Sequence, residues 1–346
     1  MSKIRRLFAL LLTCVCFLCL SVCFVACSGK GNSASSNEET VEGSKGLSYV
    51  LSKDKSYYQV TGMGTCTDLE LIIPSTYKGL PVKEIRYDAF GGQAITSLVV
   101  PNGVIKIGEG AFKNCKKLIW AEIGDSVEQI DRNAFQDCNY LMRVKLPKNL
   151  KSIGKMVFFY CFRLVEIYNE SAYNINDGNY SNAGTYCIQE HKSVNEPSCL
   201  FFEEDGCVML TNERGKYFVG YLGEGKELTI PEGVTCVNNY ALYNNINLTT
   251  VRLPSTITNI GSYSFSKCNS LEMLTIPTAV KWIGVYAIED SLRLQGLIFE
   301  NTKGWYYTND RTATTGVNVS KEIMSNAEFA LALLKENGSK YFLRSE

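Results

Sequence analysis

Across its 346 residues the chain carries 35 Lys and Arg against 35 Asp and Glu. The first 26 residues hold Lys3, Arg5 and Arg6 and no acid, so without them 32 basic residues face 35 acidic ones, which gives no electrostatic reason to expect a nucleic-acid partner. Aromatic residues are plentiful (20 Tyr, 16 Phe, 3 Trp), but His191 is the lone histidine, a poor stock for general acid–base chemistry or histidine-ligated metals.

At the N-terminus, Lys3, Arg5 and Arg6 precede an unbroken run of apolar and small residues over 7–26. The run ends in Val25-Ala26-Cys27 and gives way to Ser, Gly, Asn and Glu. This boundary resembles a bacterial lipoprotein signal, from which it departs in having Phe24 where such signals usually have Leu. The resemblance implies that residues 1–26 are a signal peptide and that Cys27 takes the lipid, because a thiol must receive the diacylglycerol. Residues 27–46 are then a flexible tether. An uncleaved signal anchor and ordinary secretion are the alternatives, and all three put the remainder outside the cytoplasm. The pair Cys16 and Cys19 lies within the export segment and is not read as a metal or redox motif.

Beyond the tether the sequence repeats every 23 residues. With Ile95, Leu118, Leu141 and Leu164, and later Leu248, Leu271 and Leu294, at position 1, position 13 carries Ile107, Ile130, Ile153, Val237, Ile260 and Ile283. Position 18 carries Phe112, Phe135, Phe158, Leu242, Phe265 and Ile288. Six of the eight prolines (Pro74, Pro101, Pro147, Pro231, Pro254, Pro277) fall at position 7, where the missing N–H ends a strand. Position 14 holds Gly108, Asp131, Gly154, Asn238, Gly261 and Gly284, which predicts a turn with positive φ there. Each unit reads as a short strand with positions 1, 4 and 6 inward, a Pro turn, a second apolar segment and a tight return. Stacked, the strands form a continuous parallel sheet over a continuous core.

The run Ile107-Gly108-Glu109-Gly110-Ala111-Phe112 with Cys115 and Leu118 resembles the BspA-type leucine-rich repeat of bacterial surface proteins. The resemblance covers roughly residues 47–310. It implies a leucine-rich repeat solenoid, mainly β with turns or short helical segments behind the sheet, used outside the cytoplasm for adhesion or ligand display. It implies no catalytic residue and no cofactor.

The period fixes the organisation: a hairpin cap and first repeat block over 47–168, an insertion over 169–224, a second block over 225–299, and a C-terminal cap over 300–346. The insertion, with turn signals at Asp205-Gly206 and Arg214-Gly215, reads as a hairpin protruding from the solenoid, with His191 exposed. The final cap reads as a helix opened by Ser325-Asn326-Ala327-Glu328 and stopped at Asn337-Gly338, then a short strand at 341–343.

Position 21 carries Cys115, Cys138, Cys161 and Cys268, with Asn245 and Ser291 in the same place, and is read as buried free thiols rather than disulfides or metal ligands. For Cys187, Cys199 and Cys207 a disulfide stays open. Positions 3 and 5 face outward and bring Trp120, Glu122, Arg143, Lys145 and Tyr168 onto one strip. That strip is either a surface for a protein or glycan ligand or a set of matched cross-strand pairs. No paired nucleophile and base and no metal-ligand cluster is evident. A membrane-anchored, non-catalytic binding or adhesion module is therefore the leading reading. A passive spacing lipoprotein and an enzyme with its site in the insertion are the alternatives.

Overall fold

The computed structural model describes residues 42–173, 187–203 and 205–345. Residues 1–41, on which the expected signal peptide, Cys27 and most of the expected tether fall, lie outside the described residues, and no helix among the described residues is long and apolar enough to cross a membrane.

Each repeat contributes two short strands, and each strand column forms its own parallel ladder. In the first block the leading column runs Glu70–Ile72, Ser97–Val100, Trp120–Ile123, Arg143–Lys145 and Glu166–Tyr168, paired in order and in parallel. The second column contains Leu80–Ile85, Lys106–Ile107, Gln129–Ile130 and Ser152–Ile153. It starts on the antiparallel pair Ser48–Leu51 and Tyr58–Gly62, which closes the end of the core. A second two-residue ladder thus stands where helical segments were also allowed. Between the ladders Phe90, Phe112, Phe135 and Phe158 stack with ring centroids 5.1 to 5.6 Å apart, all fully buried.

The left-handed turn lies elsewhere than expected. Position 14 keeps ordinary backbone angles, and positive φ falls at positions 16 and 20: Gly110, Asn133, Met156, Tyr240, Tyr263 and Tyr286, then Asn114, Asp137, Tyr160, Asn244, Lys267 and Asp290. Glycine recurs at position 14 because the rungs approach closely there. A Cβ on Gly154 would meet Arg132 N at 2.2 Å, and one on Gly284 would meet Ser262 N at 2.4 Å.

Among the described residues the insertion does not protrude. Its strand Gln189–His191 continues the first block's leading column one further 23-residue step, Glu166 opposite Gln189. The rest is an antiparallel meander of Leu200–Phe202, Cys207–Asn212 and Gly215–Tyr221, whose last strand pairs in parallel with Cys236–Val237 of the second block. The meander is buried on both faces. Val208, Leu210 and Val219 pack with Ile119, Met142 and Val165 of the first block, while Cys207, Met209, Phe218 and Tyr221 join the second block's core. The runs Cys207-Val208-Met209-Leu210 and Phe218-Val219-Gly220-Tyr221 are continuous rather than alternating for this reason.

The second block repeats the two columns, with Glu227–Thr229, Thr250–Arg252, Met273–Ile276 and Gly296–Phe299 leading. Its far end is covered by two helices, α1 (Lys321–Ser325) and α2 (Ala327–Glu336), and by Tyr341–Arg344, which pairs antiparallel with Trp282–Ile283. Asn326 alone caps α2, its side chain accepting from the amides of Glu328 and Phe329, and Ser325 closes the preceding helix.

Candidate functional site

The five strip residues share one sheet, in the register the period requires: Trp120 opposite Arg143, Glu122 opposite Lys145, and Lys145 opposite Tyr168. The meander and the strand before it cover one side of that strip. Arg143 donates from Nε to Glu166 at 2.5 Å, and also to Ser198 Oγ and to the Leu200 carbonyl. Trp120 packs against the meander's apolar cluster, and Tyr168 stacks on the His191 ring at 4.4 Å. Lys145 lies 3.7 Å from Glu122 and 3.6 Å from Asp125. The strip is thus mostly a seam with the insertion.

At its centre is a buried ion cluster that the sequence reading missed. Glu166, placed at an outward position, is fully buried, and His191 is only 2% exposed. The imidazole sits between two carboxylates, Nε2 2.9 Å from Glu166 Oε1 and Nδ1 3.2 Å from Glu196 Oε2. Burial pushes the Glu166 carboxyl up, but His191, Arg143 and the Cys199 amide outweigh it and hold it at about 2. Burial lowers the His191 value, yet Glu166 and Glu196 raise it overall. Ligand atoms of Glu166, His191 and Cys199 lie within 4.8 Å of one another, so a group able to hold a metal exists where none was expected. The Glu166 carboxylate, however, already accepts from Arg143, Ser198 and the Cys199 amide, and a metal would have to displace the imidazole proton from the remaining contact. Charge neutralisation at the seam is what this arrangement does as it stands.

The described cysteines are all free thiols, Cys187, Cys199 and Cys207 included. In the position 21 column each thiol donates to the carbonyl of the position 18 residue one rung back. Cys115 reaches Phe90 O at 3.1 Å, Cys138 reaches Phe112 O at 3.2 Å and Cys161 reaches Phe135 O at 3.0 Å. Cys268 reaches Leu242 O at 3.2 Å, and Ser291 does the same with its hydroxyl at 2.6 Å.

A cleft of about 570 Å³ opens where the two blocks meet. One wall is built from positions 22 and 23 of three successive first-block units: Lys116 and Lys117, Asn139 and Tyr140, Phe162 and Arg163. The other is the first turn of the second block, with Tyr240, Tyr243 and the asparagines 244, 245 and 247. The end of the meander, Tyr221 to Glu224, completes it. Phe162 stacks on Tyr240 at 4.0 Å across the junction, and Tyr240 begins a row with Tyr263 and Tyr286 at centroid spacings of 4.8 and 5.1 Å. All three tyrosines stand at φ between 54 and 57°, a costly conformation for a bulky residue. The first block fills that position with Gly110, Asn133 and Met156.

Two parallel ladders repeating every 23 residues over a stacked-phenylalanine core define a leucine-rich repeat solenoid. The BspA-type leucine-rich repeat model matches residues 83–204 and 221–307 in six copies, and the chain belongs to that family. No curated protein matches it. Among solved structures it is similar to a leucine-rich repeat protein of T. pallidum, at 22% identity over 72% of this chain and 88% of that one, with a TM-score of 0.33. It is also similar to a leucine-rich cell surface protein of Faecalibacterium prausnitzii, at 17% identity over 75% and 94%, with a TM-score of 0.29.

Proposed function

We propose that the protein is an extracytoplasmic, non-catalytic binding module, anchored to the membrane through a lipid on Cys27, that holds a ligand in the cleft between its repeat blocks. The cleft carries this reading. It has the volume of a small-ligand or glycan subsite, and aromatic rings and side-chain amides converge on it. We place the ligand there rather than on the strip of Trp120, Glu122, Arg143, Lys145 and Tyr168, because the insertion already occupies much of that strip.

Two measurements test the two halves. Cells fed an alkyne fatty acid should label the wild-type protein and leave Cys27→Ala unlabelled; equal labelling of both ends the anchor reading. For the cleft, cells displaying the full chain are screened against glycans and against extracellular matrix proteins, then rescreened with Tyr243→Ala. Loss of the captured ligand in that variant supports the cleft. Capture of nothing in either form favours a passive spacer, and capture undiminished by the substitution moves the site away from the junction.

A further inference from the structure

We propose that the occupant of the cleft is an acidic oligosaccharide, a sugar chain bearing a carboxylate; this rests on the cleft being the ligand site. The principal observation is Arg163. Its side chain is buried, with the residue 2% exposed, yet among the described residues no carboxylate pairs with it. Its Nε and Nη2 donate to the carbonyls of Tyr240 and Tyr243 at 3.3 Å each, its guanidinium lies 4.1 Å from the Tyr140 ring centroid, and Nη1 has no hydrogen-bond partner among the described residues. A buried cation without an opposing charge is a large desolvation cost that carbonyl contacts and a ring face offset only in part.

Charge around it points the same way. Lys116 and Lys117 stand exposed on the same wall, both two units before Arg163 in the stack, and neither is ion-paired among the described residues. Glu224 is the one acid among the described residues of the lining. Three cations against one carboxylate leave the cleft in need of an anion. Such a cleft concentrates the field of its cations at the mouth, where approach of a negative ligand is favoured.

The rest of the lining says what kind of anion. Tyr140, Phe162, Tyr240 and Tyr243 bring half-buried rings to the lining. Tyr240 is stacked between Phe162 and Tyr263 and one face of Tyr140 carries Arg163, so ring edges and the uncovered faces are what can meet the C–H faces of pyranose rings. The amides of Asn244 and Asn247, exposed at the rim, each supply a donor and an acceptor, the pattern that vicinal hydroxyls require. An acidic oligosaccharide presents all three features along one chain: apolar ring faces, paired hydroxyls and a fixed carboxylate. An acidic peptide presents the charge but lacks the rigid hydroxylated faces.

The test is calorimetry with the full chain in detergent micelles. Four probes are compared: a uronate-containing tetrasaccharide, its methyl ester, a neutral tetrasaccharide, and a polyglutamate peptide. The free acid should bind at least tenfold tighter than its methyl ester, and tenfold weaker at high salt than at low. Lys116→Gln with Lys117→Gln should cost about tenfold for the acid and nothing for the melting temperature, since both side chains are exposed. Tyr243→Ala should remove binding. Equal affinity for acid and methyl ester, with Tyr243→Ala still abolishing binding, overturns the acidic class and leaves the cleft standing. Polyglutamate binding as tightly as the sugar acid overturns it in favour of a protein ligand. Binding that ignores Tyr243→Ala, or no binding of any probe, overturns the proposal, and the first of these overturns the cleft with it.

Discussion

A thiol and a hydroxyl are interchangeable where the task is to donate one hydrogen bond in a dry turn, and the position 21 column is such a place. Cys115, Cys138, Cys161 and Cys268 each meet a carbonyl at 3.0 to 3.2 Å, and Ser291 meets its own at 2.6 Å. Burial pushes Cys115 and Cys138 well above the ordinary thiol range and Cys268 up to about 12. The thiolate is the reactive form, so Cys115, Cys138 and Cys268 should resist an alkylating reagent in the native protein, Cys161 should resist because it is fully buried, and all four should react together once the chain is unfolded. Thiol counting before and after denaturation checks this, and a Cys115–Cys138 disulfide found by mass spectrometry would contradict it. At this scale the sequence showed that a small, weakly polar group belongs at position 21. It did not show the acceptor, because the carbonyl comes from the neighbouring rung.

At the scale of the element, the ladder and its seam make separate predictions. Phe135 stacks between Phe112 and Phe158, so Phe135→Asp puts an unpaired charge into a closed column and should cost more than about 4 kcal/mol. Gln136 is half-buried with its side chain on Asp137, and Gln136→Asp should cost far less; equal losses of melting temperature would mean the register is wrong. The seam is pH-dependent. The Glu166 contribution is fully present above its unfolded value, about 4.5, and fades as pH falls toward about 2. The His191 contribution is fully present below 6.5 and is lost as pH rises through its raised folded value. The seam should thus be firmest between about pH 4.5 and 6.5. Melting temperatures measured from pH 5 to 8.5 should fall on the alkaline side in the wild type and fall less in His191→Gln; an unchanged slope in the variant removes His191 as the cause. The seam was partly written in the sequence, at a position given no role. Position 2 reads Ile119, Met142, Val165 and Ile188 where the insertion covers it, against Thr249, Glu272 and Gln295 in the second block. The charged cluster was not legible, because Glu166 and His191 follow the outward alternation and only the covering strands bury them. The position 14 glycines misled for a related reason: close approach between rungs and positive φ both select glycine, and one sequence does not separate them.

At the scale of the whole molecule, the question is whether two blocks joined by an insertion behave as one body. A meander buried on one face by the first block and on the other by the second is a shared core layer, unlike a linker. Arg163 of the first block also donates to Tyr240 and Tyr243 of the second, and Phe162 stacks on Tyr240, so the junction is held on both sides of the cleft. Repeat arrays lose cooperativity when an interface between neighbours weakens, since each unit is stabilised chiefly by its contacts to the next. The wild-type protein should therefore melt in a single calorimetric transition. Leu210→Asp places a charge on the meander face that meets Met142 and Val165, while the opposite face keeps Met209 and Phe218 in the second block's core. That variant should split the trace, with the first block melting earlier and the second close to its wild-type temperature. Met209→Asp should do the reverse, lowering the second block first. Two separated transitions in the wild type would show that the blocks fold independently, and the cleft between them would then lack the fixed walls that ligand binding there requires.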